Sequence, residues 1–290
     1  MFNMQAQHLT PNPSTNPSFQ AQSYNTRFSP SLRAAHYTAS GKHILITNAS
    51  HSPGPSIAIS FARAGVAAIA LSSPDASDLA PVIDSLRAIN PTCKILTIAC
   101  DTTRSSSVAR LFSATKDTFG TLDIVIANVG TAHLDVKGED RDRDENDEWW
   151  DDMTTNFRST HLPAHQYIRS FGAEGMGTFI SITSGRKRVS GPEVAWDLVK
   201  EMDRRLVEFL DGEYPGLNAF SIGIGFLNKD RTDSVVEMCT GDDEELVGRF
   251  CIWLGSRRVD RLSGCCVDAT WDLEELERQG VDFPGKAYWN

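Results

Sequence analysis

From Gly41 to the C-terminus the chain alternates short, continuously apolar runs with longer segments of helical spacing. The apolar runs are KHILIT, VAAIAL, KILTIA, LDIVIANVG, GTFISITSG, LNAFSIGIGF and LSGCCVDAT. Between them lie PSIAISFARAG, SDLAPVIDSLRAI, VARLFSATKDTFG, WWDDMTTNFRSTHLPAHQYIRSF, PEVAWDLVKEMDRRLVEFL and EELVGRFCIWLG, whose apolar residues recur at helical intervals. A strand that is apolar at every position, rather than at alternate ones, is buried on both faces. Strands of that kind joined by helices imply a parallel sheet covered on both sides, so the expected fold is a single doubly wound α/β domain of Rossmann type with seven parallel strands.

The first forty residues read differently. Residues 1–40 are rich in Gln, Asn, Ser and Pro, and such a composition buries too little apolar surface to offset its ordering entropy. A disordered N-terminal arm is expected there, with the domain at 41–290. A second unusual stretch is 135–152, DVKGEDRDRDENDEWWDD, with ten acids against three bases. It reads as a solvated loop leading into a helix, whose N-terminus favours acids. The other reading is a lid over a pocket, anchored at its base by Trp149 and Trp150.

Composition excludes several classes. With 28 Lys and Arg against 38 Asp and Glu the formal charge is -10, which argues against a nucleic-acid surface. No apolar run is long enough to span a bilayer, and the N-terminus lacks the basic start and apolar stretch of a secretory signal. The cytosol is the expected location. The six cysteines, Cys93, Cys100, Cys239, Cys251, Cys265 and Cys266, show no C-x-x-C spacing and read as buried thiols in a reducing compartment. His161 and His165 could share a helix face, but no third ligand accompanies them, so no metal is expected.

The turn after the first strand, ITNASHSPGPSIA, is placed to bring backbone N–H groups to a phosphate at a helix N-terminus. Here the chain resembles the short-chain dehydrogenase/reductase family, whose turn reads T-G-x-x-x-G-x-G. Thr47 and Gly54 match its first and last members, while Asn48 and Ser52 stand where the other two glycines would be, beside Pro53 and Pro55. Further matches follow in the family's order: Asp101 after the third strand, Asn128 and Gly130 in ANVG, Asn156 on the fourth long helix, Ser184 after the fifth strand, Lys200 of Y-x-x-x-K, and Gly225 of P-G. The tail GCCVDATWDLEEL is similar to that of fungal members.

The resemblance implies a nicotinamide cofactor. It assigns cofactor contacts to Asn48, Ser50, Pro53, Gly54, Ser72, Asp101, Asn128, Gly130, Lys200 and Leu227, and the catalytic frame to Asn156, Ser184, Trp196 and Lys200. The second strand ends in Ser72 and Ser73 instead of the acid that would chelate a ribose 2′-hydroxyl, so NADP is expected over NAD. Asp75, slightly further on, reads as a loop or helix-start residue.

The departures matter as much. The family's catalytic Tyr is Trp196, and an indole N–H is a donor that does not titrate, so it cannot serve as a general acid. The Pro of P-G is Ile224, and Lys229 replaces an expected Thr. Candidate substitutes for the acid are His133, Glu193, Asp197, Arg186, Lys187 and Arg188, of which His133 has the most suitable intrinsic pKa. Three functions are compatible with this frame. One is an NADP-dependent reductase of a small carbonyl or iminium substrate, of secondary-metabolite type, with altered proton donation. The second is a non-redox cyclase, isomerase or dehydratase. The third is a pseudoenzyme subunit. The family's habit of pairing its fourth and fifth helices implies a homodimer or homotetramer, with Leu198, Leu206 and Phe209 compatible with such a face.

Overall fold

A computed structural model describes residues 37–128, 145–172, 177–184, 194–224, 242–256 and 259–269. Among these residues seven strands form one parallel sheet: β1 (His43–Ile46), β2 (Ala68–Ser73), β3 (Lys94–Ala99), β4 (Ile124–Ala127), β5 (Thr178–Ser184), β6 (Asn218–Ile224) and β7 (Cys266–Asp268). Their order is β3-β2-β1-β4-β5-β6-β7. The chain therefore starts in the middle, winds outward to β3, returns to β4 beside β1, and winds outward the other way. The reversal between β1 and β4 opens a crevice at the carboxyl ends of those strands, where such sheets take ligands.

Among the described residues six α-helices cover the sheet: α1 (Gly54–Arg63), α2 (Ala80–Ile89), α3 (Ser105–Phe119), α4 (Glu145–Phe171), α5 (Val194–Glu213) and α6 (Asp242–Ser256). The period of two along each strand sends alternate side chains to opposite layers. Ile44, Ile46, Ile69, Leu71, Ile124, Ile126, Ile180 and Ile182 pack with Ile57 and Phe61 of α1, Val82 and Leu86 of α2, and Val247 and Phe250 of α6. Leu45, Ala70, Val125, Ala127, Phe179 and Ala219 pack on the other side with Leu111 and Phe112 of α3, Ala164 and Tyr167 of α4, and Val207 and Leu210 of α5. The doubly wound architecture expected from the apolar rhythm is thus the one observed.

Local boundaries differ for identifiable reasons. The segment SDLAPVIDSLRAI divides into a 3₁₀ turn, Ala76–Leu79, and α2. Pro81, second in α2, carries no N–H to continue a ladder from the preceding turn. Asp75 caps the 3₁₀ turn, accepting from Ser77 N and Ser77 Oγ at 2.8 Å each, and these bonds hold its carboxyl below the usual carboxylate range. It is the element-start residue the sequence suggested. α4 begins inside the acidic run, so that Glu145, Asp147 and Glu148 lie in its first turn, where the helix dipole favours negative charge. The remainder of that run, residues 135–144, lies outside the described residues.

The packed structure extends a few residues upstream of Gly41. Ala39 is fully buried, its N–H donates to Ala64 O at 2.8 Å, and Ser40 bridges Val66. Residues 1–36 of the expected arm lie outside the described residues.

Candidate functional site

The turn from Thr47 to Gly54 links β1 to α1 at the crevice. Asn48 takes a positive φ of 49°, a conformation that asparagine tolerates better than most residues and that allows it to stand in for glycine. Ala49 N donates to Ser72 O at 2.7 Å, which ties the turn to the end of β2. Asn128, at the end of β4, donates from Nδ2 to Asn48 O at 3.0 Å and to His51 O at 2.9 Å. Gly54 sits beneath this brace. A Cβ on it would lie 2.8 Å from Ala49 Cα and 2.9 Å from Asn128 Nδ2, so a side chain would drive the turn off its support. The glycine and the asparagine singled out in sequence are therefore one device, although they lie far apart in the chain.

Ser50 Oγ bonds Ser73 Oγ at 2.7 Å and His51 Nδ1 at 2.9 Å. Ser72 and Ser73 are both fully buried. Ser73 is thus engaged within the protein, whereas Ser72 Oγ, Thr47 Oγ1 and Asn128 Oδ1 are buried polar atoms without a hydrogen-bond partner among the described residues. Such atoms are costly unless something outside the chain satisfies them. They line the carboxyl ends of β1, β2 and β4, where the adenosine and phosphates of a dinucleotide would lie, and in that respect the residues present fit the cofactor. The fit is narrower at the helix N-terminus. Pro53, the N-cap of α1, and Pro55 offer no N–H, and Gly54 N is spent on His51 O at 2.7 Å.

Asp101 follows β3 on the surface. Its Oδ1 accepts from Thr103 N at 2.9 Å and Thr103 Oγ1 at 2.6 Å, so one oxygen shapes its own loop. Gly130, Leu227, Gly225, Lys229, His133, Arg186, Lys187, Arg188 and Glu193 lie outside the described residues. So do the side chains of Ser184 and Trp196, and of Asp197, whose backbones end β5 and open α5.

The described part of the catalytic frame expected from the sequence lies on α4, α5 and β5. Asn156 on α4 is 1% exposed and Lys200 on α5 is 3% exposed. Lys200 Nζ lies 3.4 Å from Ile182 O and 3.4 Å from Asp203 Oδ2. Burial pulls the amine below the usual lysine range, against the opposing influence of Asp203. Burial likewise pushes the Asp203 carboxyl up, with Lys200 and the Thr160 hydroxyl resisting. Facing this pair on the same side of the sheet, Ser181 and Thr183 of β5 and Ser221 of β6 have buried hydroxyls without partners among the described residues. The α4/α5 side of the sheet is therefore apolar at its amino end and polar near the site.

Sequence reasoning missed two of these features. Asp203 stands on the buried stripe of α5 with Val199, Val207 and Leu210, and an acid at that spacing was the signal available. The second is Glu244 on α6, which accepts from Ser52 Oγ at 2.7 Å and Ser56 Oγ at 3.0 Å. No sequence signal joins residues so distant. Among the described residues no three His, Cys, Asp or Glu side chains converge as metal ligands, and no helix is long and apolar enough to cross a membrane.

A family model described as short chain dehydrogenase matches residues 42–196. A short chain dehydrogenase of Monascus purpureus is 27% identical over 256 residues, which cover 85% of this chain and 87% of that one. Another, from Emericella variicolor, is 28% identical over 250 residues, covering 81% and 83%. Among solved structures, a short-chain type dehydrogenase/reductase from Mycobacterium marinum has the same fold, with a TM-score of 0.67 at 21% identity, covering 81% of this chain and 96% of that one.

Proposed function

The chain belongs to the short-chain dehydrogenase family of NAD(P)-dependent oxidoreductases, and from that premise we propose that it is an NADP(H)-dependent reductase of a small carbonyl or iminium substrate. The observation that carries this reading is the braced turn. Gly54 leaves no room for a side chain under Asn128, and three buried polar atoms around it lack partners within the described residues. Asn48, Ser50, Gly54, Ser72 and Asn128 would hold the dinucleotide, with Asp101 beside the adenine. The absence of an acid at the end of β2 and the local use of Asp75 support NADP over NAD. Bound there, the nicotinamide supplies or accepts a hydride.

The chain's own residues then have to manage a proton. Reduction of a ketone leaves an alkoxide that needs one, whereas reduction of an iminium carbon leaves a neutral amine that needs none. Trp196 stands four residues before Lys200 on α5 and can donate a hydrogen bond but no proton. Ser184 and Asn156 complete the frame at the ends of β5 and in α4. Such a site suits an acceptor that is already cationic, or an oxyanion protonated through water. A small-molecule substrate of secondary-metabolite type fits this selectivity. The free thiols among the described residues, Cys93, Cys100, Cys251, Cys265 and Cys266, support a reducing compartment such as the cytosol.

Titration of the protein with NADPH and NADH, followed by nucleotide fluorescence, tests the reading. Saturable binding with NADPH preferred is the expected result. Binding of neither dinucleotide sinks it and leaves a non-redox enzyme on the same fold, for which the missing N–H groups at Pro53 and Pro55 are the supporting observation. Trp196→Tyr should create ordinary ketone reduction if only the acid is lacking.

A further inference from the structure

The phosphate turn carries a carboxylate. Glu244, on α6, is held by two hydroxyls: Ser52 Oγ donates to its Oε1 at 2.7 Å and Ser56 Oγ to its Oε2 at 3.0 Å. The donors belong to the turn and to the first turn of α1, and the acceptor follows them by 192 and 188 residues. Close helix packing sets this approach. A Cβ on Gly248, one turn beyond Glu244, would lie 2.7 Å from Ser60 Cβ and 2.9 Å from Ser56 O, so α6 comes down on α1 where only a glycine fits.

The neighbouring acid has a different electrostatic environment. Glu245 is bridged by Arg63 at 3.1 Å and Arg249 at 2.8 Å. Glu244 holds hydroxyls alone, and no Lys or Arg among the described residues pairs with it. Among the described residues its charge is therefore uncompensated, beside a turn that should attract anions. It also occupies two hydroxyls that could donate to phosphate oxygens, in a turn where Pro53 and Pro55 have already removed two N–H groups.

We propose that Glu244 is an affinity-setting latch on the phosphate turn, opposing the pyrophosphate of a dinucleotide and keeping its binding weak and sensitive to charge. The proposal rests on the dinucleotide reading given above. A pyrophosphate entering this turn must either break both hydroxyl–carboxylate bonds or seat beside the carboxylate's negative charge, and either course costs affinity.

NADPH binding to the full chain and to its Glu244→Gln and Glu244→Ala variants provides the test, with adenosine as a phosphate-free probe. Each variant should bind NADPH roughly tenfold more tightly than the wild type at low salt, by the size of one partly screened like-charge interaction. The gain should shrink as salt is raised, and adenosine binding should not change. Wild-type binding with no tightening in either variant overturns the latch alone. Equal tightening for adenosine also overturns it, because the effect would then be structural and not directed at phosphate. Failure of all three proteins to bind any nicotinamide dinucleotide overturns the parent reading and the latch together.

Discussion

Lys200 Nζ lies 3.4 Å from Asp203 Oδ2, one turn along α5, and the two side chains are 4% and 0% exposed. Each charge is costly there alone and tolerable beside the other. Lys200→Met or Asp203→Leu alone should each destabilise the fold by about 3–5 kcal/mol, because each strands a buried charge. The double variant should recover most of that loss. Urea unfolding of the four proteins measures it, and strictly additive losses would show that the two residues are not coupled.

Gly54→Ala should leave the sheet folded and damage the turn. The new Cβ would meet Ala49 Cα and Asn128 Nδ2, of which the first is backbone and cannot swing aside. A stability loss of about 1–3 kcal/mol is expected from this overpacking. NADPH binding should fall to the limit of detection in fluorescence titration, and unchanged affinity would remove the braced turn from the cofactor site.

Tyr167 predicts a pH effect. Its hydroxyl donates to Leu122 O at 2.9 Å and to Asp123 O at 3.2 Å, and burial pushes the phenol well above its ordinary range. In the unfolded chain it ionises near pH 10. A folded pKa raised above the unfolded one gives stability that is complete below the unfolded value and is lost as pH climbs toward the folded one, at about 1.4 kcal/mol per pH unit. Tyr167→Phe should therefore be less stable than wild type by about 1 kcal/mol at pH 7. That gap should narrow above pH 10. Urea unfolding at pH 7, 9, 10 and 11 reads the difference directly, and a constant gap would contradict the assignment.

The outer face of α5 predicts assembly. Leu198 is 45% exposed, Met202 37% and Phe209 61%, and they recur at helical spacing on the side away from the sheet. A homodimer or homotetramer built on this face is the expected state. Leu198→Glu with Phe209→Glu should shift sedimentation toward the monomer while leaving the far-ultraviolet circular dichroism unchanged. An unaltered sedimentation coefficient would move the interface elsewhere.

The sheet was legible because its strands are predominantly apolar runs without strict alternation, and KILTIA coincides residue for residue with β3. Helix starts were less so. α3 opens at Ser105, ahead of the first periodic apolar residue, because Ser105–Ser107 carry no apolar signal. At the site, Asn48, Gly54 and Asn128 could be read from order along the chain, since a turn and a strand end have fixed places in a doubly wound sheet. The partner of Ser73 could not be read. Its hydroxyl bonds Ser50 Oγ across the turn, a pairing between residues 23 apart that no local pattern encodes. Asp203 was hard to read because acids are almost never fully buried unless paired, and its partner Lys200 is apparent only once α5 packs on the sheet. Glu244 was hidden because helix packing, which no local pattern encodes, brings it to Ser52.

The asparagine brace also has a consequence for how the chain is assembled. Asn128 reaches back 80 and 77 residues to the carbonyls it holds. A chain growing from its N-terminus makes every residue of the turn early, yet cannot fix their arrangement until β4 has docked against β1. Closure of that long loop must come first. A fragment ending before β4 would contain the whole turn and still lack its support. On the proposed cofactor reading, the smallest unit able to recognise a dinucleotide is thereby set at a span reaching past Ala127, well beyond the first strand and helix.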